Sequence, residues 1–192
     1  MSYTETSLSS ILVHYGTERS KEVLSGFICD NSEVENFIRN CAINNEERRL
    51  SRTILVFDEN AGLLVGFYSL SIKSLVLSSK LSSNKKKDYF GTSQTNGNVI
   101  PAVLIGQLGK NEAVNSEFTG SDLMSLIFGY ICRVDRLLPS VVSYVEHNGS
   151  AQLRKYYEKH DFIYLPREKE EKEKKLFCHV IQTRDIVRKI AS

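Results

Sequence analysis

The chain has 192 residues, 41% of them apolar, and a formal charge of +2 at neutral pH. That is enough apolar chain for one sizeable core, so residues 1–192 are read as a single domain, and no run approaches the roughly 20 apolar residues that a membrane helix needs. The near-balanced charge neither demands a nucleic acid nor excludes one. The opening Met1-Ser2-Tyr3-Thr4-Glu5-Thr6 lacks the basic and apolar stretches of a signal peptide, so a cytoplasmic protein is expected.

In chain order, Ser32-x-x-Glu35 reads as a capping box. Val34, Phe37, Ile38, Cys41 and Ala42 follow at helical spacing, which predicts a helix to about Glu47 with Arg48, Arg49 and Arg52 at its exit. Strands are predicted at 53–58 and 63–74, joined by the turn Glu59-Asn60-Ala61-Gly62. Residues 78–98, which include Lys85-Lys86-Lys87, are polar and punctuated and read as a long mobile loop. A strand from Ile100 to Leu108 precedes Gly109-Lys110-Asn111-Glu112. Thr119-Gly120-Ser121-Asp122 then opens an apolar helix from Leu123 to about Leu138, closed by Pro139.

The β-branched run Val141–Val145 predicts a buried strand, followed by a short helix and a further strand from Phe162. That helix places Leu153, Tyr156 and Tyr157 on one face. A phenol held there with its proton is a suitable general acid, which singles out Tyr157. The charge run Arg167–Lys175 reads as a hairpin or solvated loop, Leu176–Gln182 as a last strand and Arg184–Ile190 as a short helix. Cys29, Cys41, Cys132 and Cys178 show no metal spacing, and His14, His147, His160 and His179 form no cluster, so no metal is expected.

Tyr156-Tyr157-Glu158-Lys159-His160-Asp161-Phe162 resembles the end of the last helix in the GNAT superfamily of acyl-CoA N-acyltransferases, with Asp161 where that family usually has Gly. Asp tolerates left-handed backbone, so the turn can survive. Four earlier segments resemble one GNAT subgroup in the same order: Phe27–Ile38, Ser51–Phe57, Leu63–Ser71 and Ile100–Leu108. That subgroup includes the acetyltransferase toxins of bacterial toxin–antitoxin pairs. The resemblance implies an α/β fold, a central mixed and mostly antiparallel sheet flanked by helices.

It also implies N-acetyl transfer from acetyl-CoA to a primary amine, by direct attack in a ternary complex, with Tyr157 protonating the thiolate. The acceptor is an aminoacyl-tRNA, a small amine or a protein amine; an antitoxin partner and a homodimer belong to the same picture. Acetyl-CoA would be held by backbone N–H groups near Leu108 and Lys110 and by the helix start Phe118, Thr119, Gly120 and Ser121. The family's phosphate-loop pattern falls on Asn115–Gly120, where only Gly120 agrees and Glu117 adds a negative charge. This degenerate loop keeps a second reading open, a non-catalytic GNAT-fold module that binds a partner or senses acyl-CoA. Glu146 and His147 are the candidates for a general base.

Overall fold

The computed structural model of the chain describes residues 2–95, 98–166 and 176–191. The charge run Arg167–Lys175 lies outside them. Seven strands form one mixed, mostly antiparallel sheet in the order β1-β2-β3-β4-β5-β7-β6, flanked by helices, and the chain divides into two compact units.

The first unit is Met1–Ser71 with Gly106–Ser125. It opens with β1 (Tyr3–Ser7) and α1 (Leu8–Ser25), neither of them expected from the sequence. Ser7 caps α1 by accepting the N–H of Ser10, and Gly16, at φ +77°, breaks the helical geometry midway. The break interrupts the apolar periodicity, and the helix is hard to read for that reason. The next helical run does reach Glu47, as α2 (Ser32–Asn36), one π turn (Phe37–Cys41) and α3 (Ala42–Glu47). Its cap is Asn31 rather than Ser32: the Asn31 Oδ1 accepts from the N–H groups of Glu33 and Val34. Glu35 instead accepts the Cys29 N–H at 3.0 Å and pairs with Arg39. β2 (Arg52–Asp58) lies between β1 and β3 (Leu64–Val76), antiparallel to both. Leu8, Leu24, Phe27, Ile38, Leu55 and Phe67 form the core of this unit, all fully buried.

The second unit is Ile72–Ile105 with Leu126–Ser192. Within 78–98, expected to be a loop throughout, the structure places α4 (Ser83–Phe90). Ser82 caps it by accepting the Lys85 N–H, and Gly91 ends it in left-handed backbone at φ +68°. β4 (Val99–Lys110) pairs in parallel with β5 (Val142–His147), with Ala102–Ile105 facing Val142–Val145. α5 (Gly120–Asp135) ends before Pro139, as the sequence led one to expect. α6 (Ala151–Lys159) is capped by Ser150, β6 (Ile163–Leu165) pairs with β7 (Phe177–Gln182), and α7 (Thr183–Ala191) closes the chain. The turn after α6 has the geometry anticipated for it: Asp161 stands at φ +66°, and its carboxylate meets Lys189 Nζ at 2.7 Å. Leu75, Ile100, Ala102, Val142, Tyr144 and Val180 form this unit's core.

Candidate active site

The six candidate cofactor residues belong to the first unit and Tyr157 to the second. In the first unit the organising residue is Gly66 of β3. A Cβ there would lie 2.7 Å from the Phe118 ring and 3.1 Å from the Gly109 carbonyl oxygen, so only Gly lets these two segments close on the strand. Phe118 is fully buried and its ring meets Tyr3 edge-on at 4.8 Å. Its side chain is therefore core, and only its backbone can serve a ligand. Leu108 and Lys110 flank Gly109, half-buried. The structure thus gathers Leu108, Lys110 and Phe118 about one notch. On the same strand the Gln107 N–H is held by Ser69 Oγ at 2.8 Å.

Asn111 anchors the loop that leads to the helix. It is buried, its Oδ1 accepts from the N–H groups of Ile28 and Ala113, and its side-chain amide donates to the Leu64 carbonyl at 2.8 Å. Sequence reading missed it, since its partners lie far away in the chain. At the loop's other end Thr119 and Asp122 form a reciprocal cap on α5. The Thr119 N–H and hydroxyl donate to Asp122 Oδ2 at 2.8 and 2.6 Å, and the Asp122 N–H returns to Thr119 Oγ1 at 3.2 Å. These bonds, the hydroxyl first, hold the Asp122 carboxyl below the usual carboxylate range. Thr-x-x-Asp is a capping pattern visible in sequence, but its consequence is clear only here. A carboxylate stands at the helix start, beside Gly120 and Ser121, where a phosphate would be favoured. Exposed Glu117 adds a second negative charge.

In the second unit Tyr157 is buried on α6. Its ring meets His147 at 5.2 Å, Tyr156 at 5.2 Å and Phe162 at 5.7 Å. Burial, and secondarily the neighbouring Tyr156, push its phenol far up, while burial alone pushes Tyr156 up to about 12. Tyr157 keeps its proton across the physiological range. Of the two base candidates, Glu146 is half-buried, whereas His147 is buried with both ring nitrogens engaged, Nδ1 by the Gly149 N–H and Nε2 by His179, each at 3.0 Å. Among the described residues no group of His, Cys, Asp and Glu is placed to hold a metal ion, and no helix is long and apolar enough to cross a membrane.

No protein-family model matches the chain, and no curated protein does. Solved structures are similar over its full length. AtaT complexed with acetyl-methionyl-tRNAfMet is 16% identical, with 100% of each chain covered and a TM-score of 0.72. AtaTR bound with acetyl-CoA is 16% identical over 99% of this chain and 98% of that one, with a TM-score of 0.71. A tyrosine-to-phenylalanine mutant of KacT is 15% identical over 98% of this chain and 99% of that one, with a TM-score of 0.69. At such identities the likeness speaks for architecture, and the architecture this chain carries is the GNAT fold, in the form seen in the AtaT and KacT structures.

Proposed function

We propose that the chain is an N-acetyltransferase that moves an acetyl group from acetyl-CoA to a primary amine. The observation that carries this reading is a buried, proton-retaining Tyr157 on the last helix before β6, in a chain alike from end to end to a structure solved with acetyl-CoA. In the reaction the amine nitrogen attacks the thioester carbonyl carbon, a C–N bond forms, the C–S bond breaks, and the sulfur leaves as a thiolate. Tyr157 supplies the thiolate's proton, and the proton that the amine nitrogen sheds as the amide forms restores the phenol. The burial that raises the phenol raises the basicity of a thiolate born beside it as well, so the transfer is not made uphill by burial alone. Backbone N–H groups near Leu108 and Lys110 meet the charge that develops on the thioester oxygen, a contribution of about 3–4 kcal/mol for one such donor. Gly120 and Ser121 at the start of α5 take the phosphates, with Phe118 contributing backbone only and Thr119, whose N–H is held by Asp122, shaping the turn.

For the acceptor we favour an aminoacyl-tRNA, and with it a toxin role and an antitoxin partner. The support is the likeness to AtaT, solved with acetyl-methionyl-tRNAfMet and, separately, with its antitoxin AtaR. Exposed Lys85 and Lys87 on α4 and exposed Arg48 and Arg49 in the first unit are suited to phosphate contacts. A second reading, a module that binds acyl-CoA weakly or not at all, is favoured by the Asp122 carboxylate at the helix start. Titration calorimetry with acetyl-CoA separates the two. Binding that is abolished by Gly120→Glu supports the transferase, and no heat at millimolar acetyl-CoA leaves only the module.

A further inference from the structure

The second unit holds a cavity of about 170 Å³ lined by Arg154, Glu158, Tyr164, Phe177 and His179. Register explains its floor. His147 faces Phe177 and Tyr164 faces His179 across adjacent strand pairs, so alternation puts all four side chains on the sheet face that α6 covers. Arg154 and Glu158 are one helical turn apart on α6 and form its wall.

The tautomers on that floor follow from one backbone group. The Gly149 N–H donates to His147 Nδ1, so Nδ1 is bare and the proton of neutral His147 sits on Nε2. That proton goes to His179 Nδ1 at 3.0 Å, which leaves the His179 proton on Nε2. Both rings are held neutral: burial first, then His179 and Arg154, push His147 down to about 4, and burial pushes His179 down as well. His179 is 1% exposed, and its Nε2 has no hydrogen-bond partner. A buried donor without an acceptor costs about 1–3 kcal/mol. Around it stand two charges of opposite sign that form no ion pair among the described residues. The Arg154 guanidinium lies 4.1 Å over the Phe177 ring, and Glu158 is exposed.

From this combination we infer a binding site for a small zwitterion of the α-amino-acid type, its carboxylate toward His179 Nε2 and Arg154 and its ammonium toward Glu158. A ligand that bears only one charge would engage one of these two groups and gain nothing from the other. The cavity is about the size of engineered cavities of roughly 150 Å³ that take a benzene ring, which suits a free amino acid. The inference stands apart from the transferase reading, because binding is measured without acetyl-CoA and without turnover.

The test is a titration of histidine-labelled protein with glycine, L-alanine and L-leucine, followed through the ring nitrogens of His179 by NMR. Acetate and methylammonium serve as half-ligands. At least one amino acid should saturate and move the His179 Nε2 resonance, and each half-ligand should bind at least tenfold more weakly. Arg154→Gln and Glu158→Gln, both at exposed positions, should each weaken the amino acid at least tenfold in a folded protein. The inference is overturned if no amino acid shifts His179 at millimolar concentration. It is equally overturned if acetate binds as tightly as the amino acids, or if Glu158→Gln leaves their affinity unchanged.

Discussion

At Tyr157 one oxygen atom separates packing from chemistry. Tyr157→Phe keeps the ring against His147 and Phe162, and so keeps α6 on its strands. Turnover should fall by roughly a hundredfold to ten-thousandfold with acetyl-CoA affinity little changed, as for the loss of an acid–base group. Tyr156→Phe should cost far less; equal turnover in wild type and Tyr157→Phe would make the tyrosine structural. His147 supports a prediction of a different kind. In the unfolded chain it titrates near 6.5, in the fold near 4. Between those values the unfolded chain binds more protons, so the stability present above pH 6.5 is lost as pH falls toward 4. Thermal melts across that window should steepen this way in the wild type and flatten in His147→Gln. The tyrosine was legible because its neighbours in sequence carry the motif. The histidine pair was not: His147 and His179 are 32 residues apart and meet only through the β5–β7 register.

Among the elements, α4 shows what pattern reading overlooks. Its sequence, Ser-Asn-Lys-Lys-Lys-Asp-Tyr-Phe, offers one buried position, Phe90, so no apolar stripe announces it. The helix is defined by its ends, Ser82 at the start and left-handed Gly91 at the finish, where a Cβ would run into the Arg184 side chain at 2.8 Å. Ser82→Ala should therefore cost about 0.5–2 kcal/mol locally. Amide exchange in the first turn of α4 should speed up about two- to thirtyfold, and an unchanged rate would show that tertiary contacts alone hold the helix. α5 and the pair β2–β3 were legible, because strong apolar runs bounded by Pro139 or by Asn60-Ala61-Gly62 leave few alternatives. α1 was hidden by its break at Gly16.

For the whole molecule, a net charge of +2 means that any hold on tRNA comes from local clusters, not from a global field. If the acceptor is tRNA, activity should drop steeply between about 50 and 200 mM salt. Replacing Lys85, Lys86 and Lys87 by Gln should flatten that dependence. Lys86 is expected to contribute least, since its ammonium is already shared between Thr95 and Asn98. Activity indifferent to salt would exclude a tRNA held through its backbone. The mixed, mostly antiparallel sheet was legible only through the resemblance to GNAT enzymes, and the strand order and the parallel β4–β5 pair were not legible at all. Long-range pairing leaves no local trace, and the composition alone fits many α/β arrangements.

The loop from Asn111 to Phe118 is fastened at both ends, by four hydrogen bonds at Asn111 and by a ring seated over Gly66 at Phe118. Its ordering entropy is therefore spent when the chain folds, not when a ligand arrives. A molecule that lands at the start of α5 meets backbone already in place, and its affinity reflects the charges there, Asp122 and Glu117 among them, with little deduction for freezing the chain. Lengthening or shortening of this segment is absorbed between the two fastenings, in the partly exposed stretch Val114 to Glu117, without disturbing the helix that follows.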